Sequence, residues 1–95
     1  MKINLRLMAL PALVKAMGGK RIQVHFPGET VADLLEHIVK RHGRVAEEAL
    51  LDKDGKLDAI IQILLNEKEW VVHDELDVPL KDGDDVIFML IVAGG

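Results

Sequence analysis

The chain has 95 residues, enough for one small domain with a single thin core and little room for an enclosed active site. Hydrophobic residues make up 49% and charged residues 29%, which predicts a folded globular chain rather than a disordered one. The formal net charge of −4 argues against nucleic acid as the main partner, and the lack of cysteine rules out disulfides and thiolate metal sites.

The N-terminal segment is too short and too polar for the core of a signal peptide, since Asn4 and Arg6 interrupt its apolar residues. No apolar run approaches the roughly 20 residues that span a bilayer. We therefore expect a soluble protein of the cytoplasm with no membrane partner.

The first quarter of the chain is expected to form two strands that pair antiparallel around a short helical segment. Period-2 alternation, typical of half-buried strands, places apolar residues at Ile3, Leu5 and Leu7 and then at Ile22, Val24 and Phe26. Between them, Pro11 stands at a favourable first helical position, and Gly18 and Gly19 end the helical segment.

The clearest helix begins after Thr30, which is a good N-cap with Asp33 in a capping-box position three residues later. Its apolar residues follow the i, i+3, i+4, i+7, i+8 spacing of a helix lying on a sheet: Val31, Leu34, Leu35, Ile38 and Val39. Gly43 follows three basic residues and is expected to stop the helix in a left-handed conformation.

The second half of the chain predicts a shorter helix over 45–51 and three strands. The strands cover 59–65, which is apolar on both faces and therefore placed centrally, then 70–72 and 86–92. Turns are expected over 52–55 and around Gly83. This order predicts an α+β fold, with a mixed sheet of four to five strands and one main helix packed on one face.

The last predicted strand is apolar on both of its faces. One face carries Val86, Phe88, Leu90 and Val92, and the other carries Ile87, Met89 and Ile91. Because a single helix layer covers only one face, the other is expected to be exposed. This surface fits either a protein-binding patch or a self-association interface, and the sequence leaves both open.

The side chains offer little catalytic chemistry. The chain has no serine, cysteine or tyrosine, and its one threonine is better used as a helix cap, so nucleophilic catalysis is nearly excluded. The four histidines lack any metal-ligand spacing, and no metal site is expected. The aspartates around Gly83 lack the distal glutamate of a calcium loop and are interpreted as a solvated turn.

The chemically useful feature is the C-terminal diglycine, Gly94-Gly95, which follows the last strand with almost no spacer. Two glycines form a narrow, extensible arm that can enter a tight channel. Its terminal carboxylate would become a reactive acyl adenylate by attacking the α-phosphate of ATP, and a sulfur donor or an amine could then take the acyl group.

Three motifs in this order resemble the ThiS/MoaD family of ubiquitin-like sulfur carriers. They are the helix-opening PGETVADLL at 27–35, the turn LKDGDDV at 80–86 and the final VAGG at 92–95. The resemblance covers essentially the whole chain and implies a β-grasp fold, with one domain over 1–95 and a flexible tail over 93–95.

The resemblance also implies the chemistry and the partners. Gly95 would be adenylated by a ubiquitin-activating-type adenylyltransferase and converted to a thiocarboxylate, while Gly94 threads the partner's channel. Phe88, Met89 and Leu90 would dock the partner, together with Val92 and Ala93. ATP and magnesium would belong to the partner, so the chain needs no bound cofactor.

The same resemblance implies a carrier rather than an enzyme, although such a carrier can count as the small subunit of a molybdopterin-synthase-like sulfurtransferase. A sulfur donor and a downstream sulfur-accepting enzyme would complete a pathway to molybdopterin, thiamine, cysteine or a thio natural product. Two alternatives stay open: a protein modifier conjugated to lysines through Gly95, and a non-catalytic β-grasp interaction module with an incidental diglycine.

Overall fold

A computed structural model describes residues 1–91, whose strands form one mixed sheet with helices packed on one face. The elements in chain order are β1 Lys2–Met8, α1 Pro11–Met17, β2 Arg21–His25, α2 Val31–His42, α3 Arg44–Leu50, β3 Ile61–Leu65, β4 Glu69–Val71 and β5 Asp85–Leu90. The α+β prediction is confirmed, with five strands in the described residues and two short helices beside the main one.

The strand order is β2-β1-β5-β3-β4, so β5 is the middle strand of the sheet. β1 pairs antiparallel with β2 as predicted and parallel with β5, while β3 pairs antiparallel with both β5 and β4. The segment predicted to be central, β3, is an interior strand but lies one position away from the centre. The last strand of the described chain therefore has a neighbour on each side.

The core lies between the sheet and the three helices. One face of β1 and β5 contributes side chains that are less than 3% exposed: Ile3, Leu5, Leu7, Val86 and Phe88. They join the predicted stripe of α2, in which Val31, Leu34, Leu35 and Ile38 are buried and Val39 is half-buried. Burying a side chain of this kind contributes roughly 1.5–3 kcal/mol, so this layer is the main source of stability.

The helix-opening motif builds the N-cap of α2. The N–H of Asp33 donates to Oγ1 of Thr30 at 3.1 Å, and Oδ2 of Asp33 accepts from the N–H groups of Glu29 and Thr30 at 2.9 and 3.2 Å. These bonds, the one from Glu29 above all, lower the pKa of the Asp33 carboxyl. The stabilisation is therefore complete above the unfolded-state pKa, near 4, and is lost as the pH falls through the lower folded-state value.

Gly28 is required in this motif for space rather than for backbone conformation. A Cβ at this position would lie 2.5 Å from Cβ and 2.9 Å from Cγ of Asp33, whose side chain is fixed by the cap. We expect Gly28→Ala to displace Asp33 and to lower the free energy of unfolding by on the order of 1 kcal/mol. Urea denaturation measures this change.

Gly19→Ala is the matched control, because a Cβ at Gly19 meets nothing closer than 3.6 Å. We expect it to change stability by less than about 0.5 kcal/mol. Equal losses in the two variants would contradict the steric account of Gly28.

The prediction for Gly43 needs a correction. Its φ of 59° is positive, as expected, but its ψ of −133° lies outside the left-handed helical region. The physical reason is that Gly43 is both the C-cap of α2 and the N-cap of α3, so the chain turns directly from one helix into the next.

The turn before β5 fixes the register of that strand. The N–H of Lys2 donates to Asp82 Oδ1 at 2.8 Å, and the N–H of Gly83 donates to the carbonyl of Lys2 at 2.8 Å. On the other side, Asn66 donates through Nδ2 to Asp84 Oδ1 at 3.1 Å and accepts from the N–H of Asp85 at 2.8 Å. Because a slip of one residue exchanges the two faces of a strand, these bonds decide which side chains of β5 enter the core.

The β3–β4 turn carries backbone strain at Glu67. The N–H of Lys68 donates to the carbonyl of Leu65, and the central residues Asn66 and Glu67 both have positive φ, 51° and 59°. Asparagine tolerates this conformation and glutamate does so poorly. We expect Glu67→Gly to raise the free energy of unfolding by about 0.5–1 kcal/mol, because glycine adopts this conformation without strain. Chemical denaturation measures the change. An unchanged free energy of unfolding would show that Glu67 is not strained.

Candidate functional site

The C-terminal end of β5 is where the predicted active arm leaves the sheet. β1 ends at Met8 opposite Met89, so the chain beyond Met89 extends past the end of this neighbour. On the other side, the N–H of Ile91 donates to the carbonyl of Ile60 at 2.8 Å. The last described residue is therefore held by a hydrogen bond, three residues before Gly94.

A tight turn at Asp58 positions the carbonyl that holds Ile91. Oδ1 of Asp58 accepts from the N–H of Ile60 at 3.1 Å, and its carbonyl accepts from the N–H of Ile61 at 2.9 Å. Such an Asx-type turn fixes the backbone just before β3. This turn also explains why β3 begins at Ile61, whereas the sequence predicted a start at residue 59.

The predicted reactive and threading residues, Gly95 and Gly94, lie outside the described residues, and so do Val92 and Ala93. The same holds for the predicted tail 93–95 and for the last residue of the predicted strand 86–92. Their proposed roles stay predictions.

The two faces of β5 differ in burial. Phe88 is fully buried against the helices, and Leu90 is half-buried on the same face and packs against the core. The prediction that Phe88 lies on an exposed docking face is therefore wrong, because the register directs its side chain under the helix layer. Met89, half-buried on the opposite face, is the predicted docking residue of β5 that points away from the helices.

The uncovered face of the sheet carries a set of apolar side chains from four strands, which we call the open-face patch. Strand pairing brings together Met8, Leu64, Trp70, Ile87 and Met89. Trp70 is 54% and Met8 44% exposed, whereas Ile87 is 5% exposed between its neighbours. Within the patch, Met8 and Met89 lie near the exit of β5, where Ile60 and Ile91 are also exposed.

Next to this patch, the open face carries charged side chains. A shallow cavity of about 310 Å³ lies over β2, β1 and the start of β5, lined among others by Arg6, Arg21, Glu67 and Asp85. A surface with an apolar region beside opposed charges suits a protein partner, because the apolar part gives affinity and the charges fix orientation.

The sequence reasoning placed β5 at the docking surface but missed the contributions of β1, β3 and β4. The sequence places Trp70 only at the start of the predicted strand 70–72, without a link to β5. The alternation of side chains along a strand could have indicated this. Leu64 and Trp70 alternate with the buried Ile63 and Val71, which places them on the opposite face.

Within residues 1–91, no three histidine, aspartate or glutamate side chains are grouped so that they could hold a metal ion. No helix in this part of the chain is both long and apolar enough to cross a membrane.

Comparison with known proteins supports one family throughout. The ThiS family profile matches residues 8–95. Ubiquitin-related modifier 1 of Mus musculus is 30% identical over 82 residues, which cover 82% of this chain and 80% of that protein. The chain spans 49%, 60% and 47% of the length of the ubiquitin-related modifiers of Coprinopsis cinerea, Mycosarcoma maydis and Bombyx mori.

Two solved structures share the fold over nearly the whole chain. Small archaeal modifier protein 1 (SAMP1) from Haloferax volcanii has a TM-score of 0.76 and 26% identity, with 100% of both chains covered. A chain of the Amycolatopsis orientalis BexX/CysO complex has a TM-score of 0.71 and 27% identity, covering 98% of this chain and 99% of that one. The mixed sheet with its helix layer is therefore of the ubiquitin-like β-grasp type.

Proposed function

The chain belongs to the ThiS family of ubiquitin-like carriers and modifiers, and from this premise we propose that it is a sulfur carrier whose reactive group is the carboxylate of Gly95. The observation that carries the proposal is the position of the diglycine. It follows Ile91 by only three residues, and Ile91 is hydrogen-bonded at the end of the central strand. The family match also extends through Gly95.

The proposed chemistry has two steps. In the first, a carboxylate oxygen of Gly95 attacks the α-phosphorus of ATP, forming an acyl adenylate and releasing pyrophosphate. In the second, hydrosulfide attacks the acyl carbon, the bond to AMP breaks, and a proton is released as the thiocarboxylate forms. We propose that a ubiquitin-activating-type adenylyltransferase binds the ATP and magnesium, so that this chain is a cosubstrate rather than the enzyme.

We propose that this chain contributes a long, narrow C-terminal arm and a surface that docks the partner. Residues 92–95, when extended, reach on the order of 13 Å, long enough for the carboxylate to enter a partner's active site while the sheet stays outside. Glycines at the tip keep the arm narrow. The open-face patch, whose Met8 and Met89 lie near the exit of β5, would hold the partner so that the arm enters at a fixed point.

Intact-mass measurement tests this proposal. The protein is incubated with its activating partner, ATP and sulfide, and we expect its mass to rise by the difference between sulfur and oxygen. A variant lacking Gly95 should show no rise while keeping its unfolding curve, since it retains all of β5, Asp85–Leu90, and the hydrogen bond of Ile91 to Ile60. No mass change with a partner that forms the adenylate would refute sulfur carriage.

A modifier is the second candidate, favoured by relatives that are named ubiquitin-related and small archaeal modifiers. It uses the same acyl adenylate, but a lysine amine attacks the acyl carbon and AMP leaves as an amide forms. Detection of Gly95 in isopeptide linkage to other proteins would support it. The two functions share one activation step, so a single chain can perform both.

The downstream partners follow from the chemistry. A thiocarboxylate is a protein-bound sulfur nucleophile, so the acceptor enzyme must present an activated carbon electrophile. The biosynthesis of molybdopterin, thiamine, cysteine or a thio natural product is the kind of pathway that we propose for the sulfur. The relative in the BexX/CysO complex supports a stable complex with a second protein as part of the function.

A further inference from the structure

The hydrogen-bond ladder between β3 and β5 ends on a side chain at the exit of β5. The N–H of Ile91 donates to the carbonyl of Ile60 at 2.8 Å. In a regular antiparallel pair the N–H of Ile60 would complete this pair by donating to the carbonyl of Ile91. It donates instead to Oδ1 of Asp58 at 3.1 Å. Asp58 therefore takes the bond with which the ladder would continue.

The opposite end of the same ladder is closed in the same way. The N–H of Asn66 donates to the carbonyl of Asp85 at 2.7 Å, and the N–H of Asp85 donates to Oδ1 of Asn66 at 2.8 Å. At each end a side-chain oxygen replaces one backbone acceptor. Asn66 and Asp58 thus delimit the pairing of β3 with β5, and Asp58 does so beside the residue that precedes the C-terminal arm, residues 92–95.

The Asp58 turn is anchored in the core. The N–H of Asp58 donates to the carbonyl of Leu50 at 2.8 Å, at the end of α3. Leu50 and Leu57 are both less than 4% exposed, and the carbonyl oxygen of Leu57 contacts Nε2 of His73. Because the helix layer holds the turn on this side, Asp58 passes a fixed position on to Ile60.

The turn also orients two apolar side chains at the exit of β5. Ile60 and Ile91 are 49% and 42% exposed, whereas their chain neighbours Ile61 and Leu90 are buried and half-buried. Because side chains alternate along paired strands, Ile60 and Ile91 lie on the open face. The bond to Asp58 therefore fixes the surface from which the arm leaves as well as the backbone.

We propose that Asp58 is a positioning residue for activation of the C-terminus. By holding Ile60 it holds Ile91, so that residues 92–95 leave the sheet in one direction. This inference rests on the proposed adenylation of Gly95, and Asp58 acts on it only through the backbone. Without the bond, Ile91 would take several conformations, and only a fraction of them would direct the arm into the partner's active site.

The steady-state rate of ATP–pyrophosphate exchange by the partner, with this chain as the varied substrate, tests the role. Asp58→Ala should lower kcat about tenfold and leave KM for the chain within about twofold, since one more residue has to be ordered after docking. Asp58→Asn keeps the Oδ1 acceptor and should stay within about twofold of the parent. Asp58→Ser should be intermediate, because a hydroxyl makes this kind of turn more weakly.

Amide exchange of the free chain measures the position of Ile91 without a partner. In Asp58→Ala we expect exchange at Ile91 to become about tenfold faster, while the amides between β1 and β5 change little. Those amides also show whether the variant is folded. Unchanged exchange at Ile91 would overturn the proposal, whereas lack of adenylation of the parent chain would refute the proposed function instead.

Asp52→Ala is the matched control. Oδ1 of Asp52 accepts from the N–H groups of Asp54 and Lys56 at 2.8 and 3.1 Å, at the far end of the same loop. This variant should keep both kcat and the exchange rate at Ile91 within about twofold of the parent. An equal loss of kcat in Asp52→Ala or Asp58→Asn, or a loss in Asp58→Ala that is carried by KM, would overturn the positioning role.

Discussion

Phe88→Ala should lower the free energy of unfolding by about 3–5 kcal/mol, the largest stability effect that we expect for any single substitution in this chain. Phe88 is fully buried on the middle strand, where its neighbours across the sheet are Leu7 and Ile63, both also buried. A cavity at this position cannot close easily, because strands hold it on both sides and helices cover it.

Chemical denaturation followed by circular dichroism measures this effect, and Met89→Ala is the matched control. Met89 is the next residue of the same strand but points to the open face, so its truncation should cost less than about 1.5 kcal/mol. The folded fraction of Phe88→Ala should still be activated by the partner. Equal losses of stability at the two positions would contradict the assignment of the faces.

Features specified by local signals were predictable from the sequence. The bounds of α2 could be predicted because the residues that set them lie within the helix or next to it. Thr30 caps its N-terminus, Asp33 completes the capping box, and Gly43 ends the helix. The antiparallel pairing of β1 and β2 likewise needs only their alternation and a short connection. In each case the pattern that decides the structure can be recognised within a short segment of the sequence.

The face of β5 that enters the core could not be predicted locally. Its two faces are almost equally apolar, so hydrophobicity does not distinguish Phe88 from Met89. The choice is made by the register, which depends on hydrogen bonds that Asp82 accepts from Lys2, and that Asn66 donates to Asp84 and accepts from Asp85. These contacts join residues 18 to 80 positions apart, and no periodicity reveals them.

The centre of the sheet was misplaced for a similar reason. Apolar residues on both faces of β3 suggested the central position, but the parallel pairing of β1 with β5 places β5 there instead. The open face of β3 is covered only in part, leaving Leu64 half-buried. The candidate docking surface was likewise only partly predictable, since it assembles side chains from four strands that only the sheet order brings together.

Met89→Asp should reduce the efficiency of activation, measured as kcat/KM for ATP–pyrophosphate exchange by the partner, by about 30-fold or more. Met89 lies within the open-face patch, next to Met8 on one side and Gln62 on the other, and near the exit of β5. A carboxylate there would have to be desolvated against an apolar partner surface. Loss of a central interface contact typically costs about 2 kcal/mol or more, which corresponds to this factor.

Val45→Asp separates this effect from a general effect of added charge. Val45 is 39% exposed on α3, in the helix layer on the opposite side of the molecule, so the same substitution there should leave kcat/KM within about twofold of the parent. If both variants lose activation equally, the partner does not use the open face. If Met89→Asp alone loses activation while a variant lacking Gly95 still binds the partner, docking and chemistry reside in separate parts of the chain. The sheet then determines which partner is recognised, and the diglycine arm determines what is transferred.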